Sequence, residues 1–337
     1  MSNIVPFKKT GNEPVPVTIP RPPFDPALKF AETFASLSET LDIEAIRSSQ
    51  SSMTAESIIE RFPYLDHREF TAPAIKDLGD QPVMLSVFRS SISKDTKRPA
   101  LFYIHGGGQI AGNRFSGLDF IISAFNELDP VIITVEYRIA PEHPSPAGVH
   151  DSYAGIAYVS DHAEELGVDP SKIVVYGISG GAAPAAAVAQ LSHSRQYPSL
   201  CAQMLSTPML DDRNTTVSAK QFEHSTLWCG VVNRMAWDLV LGPERGGPNV
   251  DELGSPARAM DLSGVPPAFI DVGECEVFRD EAVAYASQIW KCGGTAELHV
   301  WPGAYHGSFL LEADVPVSQS MVNAQKDFLQ RLFTECA

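Results

Sequence analysis

Lys172-Ile173-Val174-Val175-Tyr176-Gly177-Ile178-Ser179-Gly180-Gly181-Ala182-Ala183-Pro184-Ala185-Ala186-Ala187-Val188 is the stretch on which the reading of this chain turns. It passes from a β-branched strand through a tight glycine turn into an alanine-rich helix. A strand apolar on both faces suits a parallel sheet covered by helices on either side. In the G-x-S-x-G turn, only small side chains fit two residues before and after the serine, which accounts for Gly177 and Gly181. The turn exposes Ser179 Oγ at a helix N-terminus, whose dipole favours developing negative charge. Such pentapeptides also arise by chance as β–α turns with an incidental serine. The strand before and the helix after favour a nucleophile.

Outward from this stretch, strands and helices alternate from residue 68 onward. Val83–Phe88 and Ala100–Ile104 read as strands, Phe120–Leu128 as a helix, Val131–Tyr137 as a strand and Gly148–Leu166 as a helix. Beyond the elbow, Gln203–Ser206, Ala268–Val272 and Ala296–Trp301 read as strands, with helices over Asp280–Cys292 and Ser318–Phe333. Alternation of this kind predicts a three-layer α/β architecture with a mostly parallel central sheet. Two segments stand outside it. Apolar residues recur at helical spacing from Pro26 to Arg61, with Thr54 starting a second short helix, and residues 208–265 carry a helical insertion between two strands. The reading divides the chain into an extended arm over 1–25, rich in proline, a helical cap from 26–65 and 208–255, and a catalytic domain from 66–207 and 256–337. The cap would lie over the strand ends, where open α/β sheets hold ligands.

With 25 basic against 41 acidic residues, the formal net charge is −16. Such a surface repels phosphate backbones and anionic lipid headgroups, so nucleic-acid binding and membrane binding are disfavoured. The N-terminal residues lack the apolar core of a secretory leader, and no apolar run approaches the ~18 residues of a spanning helix. The five cysteines, Cys201, Cys229, Cys275, Cys292 and Cys336, are odd in number and form no C-x-x-C pair, which argues against a disulfide framework and a zinc site. A reduced, cytoplasmic protein is expected.

Further chemistry is placed by three more features. His105-Gly106-Gly107-Gly108 follows the strand ending at Ile104; consecutive glycines let backbone N–H groups face a ligand with no Cβ in the way. In acyl transfer such donors form an oxyanion hole, here assigned to Gly107 and Gly108 with Gly180 from the residue after the nucleophile. A phosphate loop is the alternative, but no Gly-Lys-Ser/Thr follows and no G-x-G-x-x-G spacing fits. His105 reads as structural. The general base is His306, in the loop after the last strand. The acid comes from the loop after Ala268–Val272: Glu276 is favoured, Glu274 is the reserve, and Asp280 and Glu281 read as first-turn residues of the next helix.

The chain resembles the hormone-sensitive-lipase-like (family IV) esterases of the α/β-hydrolase fold over about residues 26–335. The resemblance rests on His105–Gly108, on Tyr137-Arg138-Ile139-Ala140-Pro141-Glu142-His143-Pro144, on the elbow, on Ser255–Gly264, and on Arg279-Asp280-Glu281 with His306-Gly307. It implies a serine hydrolase cleaving esters of small to medium acyl chain through a Ser179–His306–Glu276 triad, with no cofactor and no metal. Ile178 and Gly180 stand where the family usually has Asp and Ala, and Glu276 where it usually has Asp. As partners the resemblance points to a small-molecule ester, and it leaves room for a homodimer. Phe30, Phe34, Phe222, Trp228 and Trp237 are candidates for an apolar substrate pocket, each equally readable as cap core. The same triad on a lactone, amide or acyl-transfer substrate is the alternative. A non-catalytic receptor on this scaffold is disfavoured because His306 is present.

Overall fold

Val131–Val135 is buried at every position, as an inner strand must be. The computed structural model describes residues 19–37, 39–50, 53–79, 81–93, 95 and 97–335. Most of the arm expected over 1–25, and Cys336, lie outside these residues. Among them eight strands form one sheet: β1 Leu65–Ala72, β2 Val83–Ser90, β3 Arg98–Ile104, β4 Val131–Val135, β5 Val168–Ile178, β6 Ala202–Ser206, β7 Ala268–Gly273 and β8 Ala296–Trp301. Their spatial order is β1-β2-β4-β3-β5-β6-β7-β8. The pairs β1–β2 and β2–β4 are antiparallel, and every pair from β4 to β8 is parallel. The expected α/β-hydrolase architecture, a mostly parallel sheet flanked by helices, is therefore what the chain adopts.

Helices α1 Ile43–Gln50 and α2 Ala55–Arg61 precede the sheet. Those that follow are α3 Leu118–Phe125, α4 Ala147–Asp161, α5 Ala163–Leu166, α6 Ala182–Arg195, α7 Val217–Gln221, α8 Gly230–Leu241, α9 Arg279–Lys291, α10 Ser308–Leu311 and α11 Pro316–Glu335. Alternate residues of each inner strand feed two cores. Leu85, Phe102, Ile133, Val175 and Ile270 point to the side covered by α4, α6 and α9; Leu101, Tyr103, Val174, Tyr176 and Phe269 point to the side covered by α3 and α11. The alanines of α6, buried from Ala182 to Ala189, let that helix lie close to the sheet.

Three expectations need adjusting. The helical pattern from Pro26 to Arg61 breaks into a 3-10 turn over Lys29–Ser36 and then α1 and α2. Thr54 does cap α2, in a reciprocal pair with Ser57. The single helix over 148–166 is divided at His162 into α4 and α5. Strand β1 has no counterpart in the sequence reading: only Leu65, His67, Phe70 and Ala72 are sheltered, because it is an antiparallel edge.

The N-terminal segment makes a third, smaller cluster. Phe34 packs edge-on to Tyr305 at 4.9 Å between ring centroids, with Phe24 and Phe30 beside them. This places the segment directly against the loop that follows β8.

Candidate active site

The strand order reverses at β3 and β5, and the crevice beyond their carboxyl ends is where this sheet architecture presents a site. Ser179 follows β5 directly. Its φ is 56°, a left-handed conformation that a serine adopts only when its surroundings impose it. They do: a Cβ on Gly177 would run into the Gly181 carbonyl, and one on Gly181 into the Ile104 and His105 carbonyls at the end of β3. The elbow is thus wedged under the neighbouring strand, with Oγ facing out.

His306 lies 127 positions further along the chain, yet its Nε2 is 2.9 Å from Ser179 Oγ. Its Nδ1 is 2.6 Å from Glu276 Oε2. The carboxylate accepts, so Nδ1 carries the proton and Nε2 is left to accept the serine hydroxyl proton. Glu276 is fully buried and its second oxygen accepts the Gly273 N–H at 2.7 Å. Glu274 points elsewhere, accepting the Gly303 N–H at 3.1 Å and so joining the loops after β7 and β8. Asp280 and Glu281 belong to the first turn of α9, where Glu281 accepts the Leu210 and Asp211 N–H groups.

The glycine loop after β3 faces the serine. Gly107 and Gly108 have φ of 107° and 62°, values open to glycine and strained for other residues. Gly180 approaches the same loop: a Cβ placed on it would lie 2.5 Å from Gly108 N and 2.7 Å from Gln109 N. The Gly108 and Gln109 amides are therefore packed against Gly180, the residue after the serine. His105 takes no part in this group. It is buried, stacks on Tyr137 at 4.4 Å and bonds the Gly106 carbonyl at 2.8 Å; burial pushes its pKa down and keeps the ring neutral.

The Tyr137–Pro144 run, distinctive in sequence, has a physical role here. The Tyr137 hydroxyl donates to the His105 carbonyl at 2.9 Å, and the Ala140 N–H donates to the Gln109 carbonyl at 2.8 Å. Arg138 makes a bidentate pair with Asp151. From α1, Arg47 donates to the Ile110 and Ala140 carbonyls and to Glu142, all at 2.8 Å. The run braces the glycine loop.

A cavity of about 330 Å³ opens onto Ser179 and His306. Of the five aromatic candidates, Trp228 lines it. Phe34, Phe222 and Trp237 are buried in cores, and Phe30 packs against Phe34 and Tyr305, so these four are corrected from pocket to packing residues. Helical spacing marks burial and does not say what the buried face touches. The walls come instead from Tyr103, Ile178, Thr207, Leu227, Leu310 and Leu311. The sequence reading missed Leu310 and Leu311, which their closeness in sequence to His306 could have marked. It also missed Thr207, which follows the carboxyl end of β6; its φ of 44° is an outlier for a β-branched residue.

Burial with Glu274 nearby pushes the Cys275 thiol up to about 12, so it is no rival nucleophile at neutral pH. No helix among the described residues is long and apolar enough to cross a membrane.

With this geometry in view, comparison with known proteins gives one answer. A family model described as α/β hydrolase fold matches residues 101–310, which hold the glycine loop, Ser179, Glu276 and His306. The chain belongs to that family, in its hormone-sensitive-lipase-like branch. This α/β hydrolase is 31% identical over 305 residues to the carboxylesterase NlhH of Mycobacterium tuberculosis, covering 89% of this chain and 93% of that protein. Among solved structures it is similar to a bacterial heroin esterase, with TM-score 0.82 and 33% identity over 92% of this chain and 98% of the other. It is also similar to the esterase LipW of Mycobacterium marinum, with TM-score 0.80 and 28% identity over 93% and 98% of the two chains. The hydrolase is of the carboxylesterase type.

Proposed function

We propose that this α/β hydrolase cleaves carboxylic esters of small to medium acyl chain through an acyl-enzyme on Ser179. The observation that carries the proposal is the unbroken relay from Ser179 Oγ to His306 (2.9 Å) and from His306 to the buried Glu276 (2.6 Å). In this mechanism His306 Nε2 removes the hydroxyl proton as Oγ attacks the ester carbonyl, and Glu276 steadies the imidazolium that forms. The carbonyl oxygen gains negative charge and is received by the Gly107, Gly108 and Gly180 amides. His306 then gives its proton to the leaving alkoxide. Water, deprotonated by the same ring, attacks the acyl carbon, and Ser179 leaves with the proton restored. The apolar walls Ile178, Leu227, Leu310 and Leu311 suit a hydrocarbon acyl or alcohol group. We take residues 26–65 and 208–255 as the cap over this cavity. No disulfide joins Cys229, Cys275 or Cys292, and we assign the enzyme a reduced, cytoplasmic setting.

The test is turnover of p-nitrophenyl esters from acetate to decanoate by the parent and by Ser179→Ala. The parent should favour the shorter half of the series. The alanine variant should lose about 10⁶ in kcat. Full activity in the variant would overturn the assignment.

A further inference from the structure

Gly108 is held between two surfaces. On one side lies Gly180, so close that a Cβ there would stand 2.5 Å from Gly108 N and 2.6 Å from Gly108 Cα, both backbone atoms that cannot swing aside. On the other lies the Trp228 indole: a Cβ on Gly108 would stand 2.6 Å from Cη2 and 2.9 Å from Cζ2. The ring edge therefore rests on the glycine backbone, with the second glycine beneath.

The indole is fixed by a short chain of side-chain hydrogen bonds. Trp228 Nε1 donates to Asn233 Oδ1 at 3.0 Å. Asn233 sits on α8, fully buried, and its Nδ2 donates to Asn214 Oδ1 at 3.0 Å. Asn214 in turn donates from Nδ2 to the Gly230 carbonyl at 2.9 Å, which returns the chain to the start of α8. Asn214 has φ of 53°, a conformation that asparagine tolerates better than most residues. Buried amides that satisfy one another in this way favour a single arrangement of the group they hold.

We propose that Asn233 is a positioning residue for the oxyanion hole: through Trp228 it presses the Gly107–Gly108 loop onto Gly180 and fixes the spacing of the three amides. Asn233 does not line the cavity and touches no reacting atom. Its effect passes through the indole. Donors held at fixed spacing stabilise charge on the carbonyl oxygen without reorganising when it appears, whereas a loop free to lift loses part of that advantage in the transition state alone. The inference rests on the esterase reading of the site.

The experiment compares the parent with Asn233→Leu, Trp228→Phe and Gly180→Ala, using p-nitrophenyl acetate and a methyl trifluoromethyl ketone that forms a tetrahedral adduct on the serine. Loss of one oxyanion donor costs on the order of 10²–10³ in rate. Loosening all three amides is expected to lower kcat at least ~10-fold while KM moves less than ~3-fold, with the ketone's Ki rising in step with the fall in kcat. A merely structural role would lower the melting temperature and leave the ratio of Ki to KM unchanged. Gly180→Ala should follow the same pattern, since its Cβ drives the loop from the other side. Should Asn233→Leu not fold, Trp228→Phe, at a half-buried position, decides the matter. Folded Asn233→Leu and Trp228→Phe variants with parental kcat and Ki would overturn the clamp. An active Ser179→Ala control would instead overturn the esterase reading on which the clamp rests.

Discussion

Glu276 Oε2 lies 2.6 Å from His306 Nδ1 across 30 positions of chain, and it reaches there because the loop after β7 folds back on the Gly273 N–H. The side chain is one methylene longer than an aspartate, and its other oxygen is held by the Gly273 N–H. Glu276→Gln keeps the shape and removes the charge that holds the imidazole in its working tautomer. A fall in kcat approaching the ~10⁴ known for such a change is expected. Glu274→Gln, at a side chain that accepts the Gly303 N–H, should keep kcat within about ten-fold of the parent. Steady-state kinetics on the pair checks the assignment. Loss confined to the second would reverse it.

Asp271 gives a pH prediction. It is fully buried on β7, with Oδ2 accepting from Gln325 at 3.1 Å and Trp301 at 3.3 Å, and with Ser206, His299 and Tyr176 around it. Burial raises its pKa from 3.8 to about 6. The folded state then holds this proton more tightly than the unfolded chain, so its contribution to stability is full below about pH 4 and lost as pH rises through about 6. The loss is of order 3 kcal/mol at most, at 1.36 kcal/mol per pKa unit. Asp271→Asn should remove that fall. Melting temperatures at pH 4 and pH 7 should show the variant gaining on the parent at the higher pH; equal differences at both would refute it.

Arg47 ties α1 to the glycine loop after β3. Its bridge to Glu142 is more than half exposed on the acidic side and contributes little. The Ile110 and Ala140 carbonyls it also serves are part of the sheltered loop. Glu142→Gln is therefore expected to cost under ~1 kcal/mol. Arg47→Lys, which cannot meet three acceptors in fixed directions, should cost about 1–3 kcal/mol. Urea denaturation of the two variants would order them; the reverse order would place the stabilisation in the ion pair.

Phe34 and Tyr305 couple the N-terminal segment to the histidine loop. Phe34 is 2% exposed, and truncation to alanine should cost about 3–5 kcal/mol if the fold does not collapse around the void. Because Tyr305 precedes His306, kcat should fall more than KM rises in the same variant. Calorimetry with initial-rate measurements checks both parts. An unchanged kcat would separate the packing cluster from catalysis.

How far the sequence could be read follows from what each residue type announces. Gly177, Ser179 and Gly181 announce themselves because one backbone path excludes almost every other side chain. The strand before and the helix after carry strong periodicity. His306 could be placed from its position after the last strand, and Glu276 from its place in the loop rather than in a helix. The cavity walls could not. Phe222 and Trp237 are as apolar and as helically spaced as a pocket residue would be, and packing alone sends them into the core. Strand β1 was hidden by its exposure: an edge with charged residues at Asp66, Arg68 and Glu69 looks like a loop until Leu65 pairs with Ser90 and Ala72 with Val83. The hydrogen bonds of Trp228, Asn233 and Asn214 join residues up to 19 positions apart with no periodic signature.

The left-handed backbone at Ser179 has a thermodynamic corollary. A non-glycine residue held there costs of order 1 kcal/mol or more, a standing expense borne by the rest of the fold. Ser179→Gly should therefore be an inactive protein that melts later than its active parent. The hydroxyl to which we assign the attack would be the one whose removal lets the molecule relax.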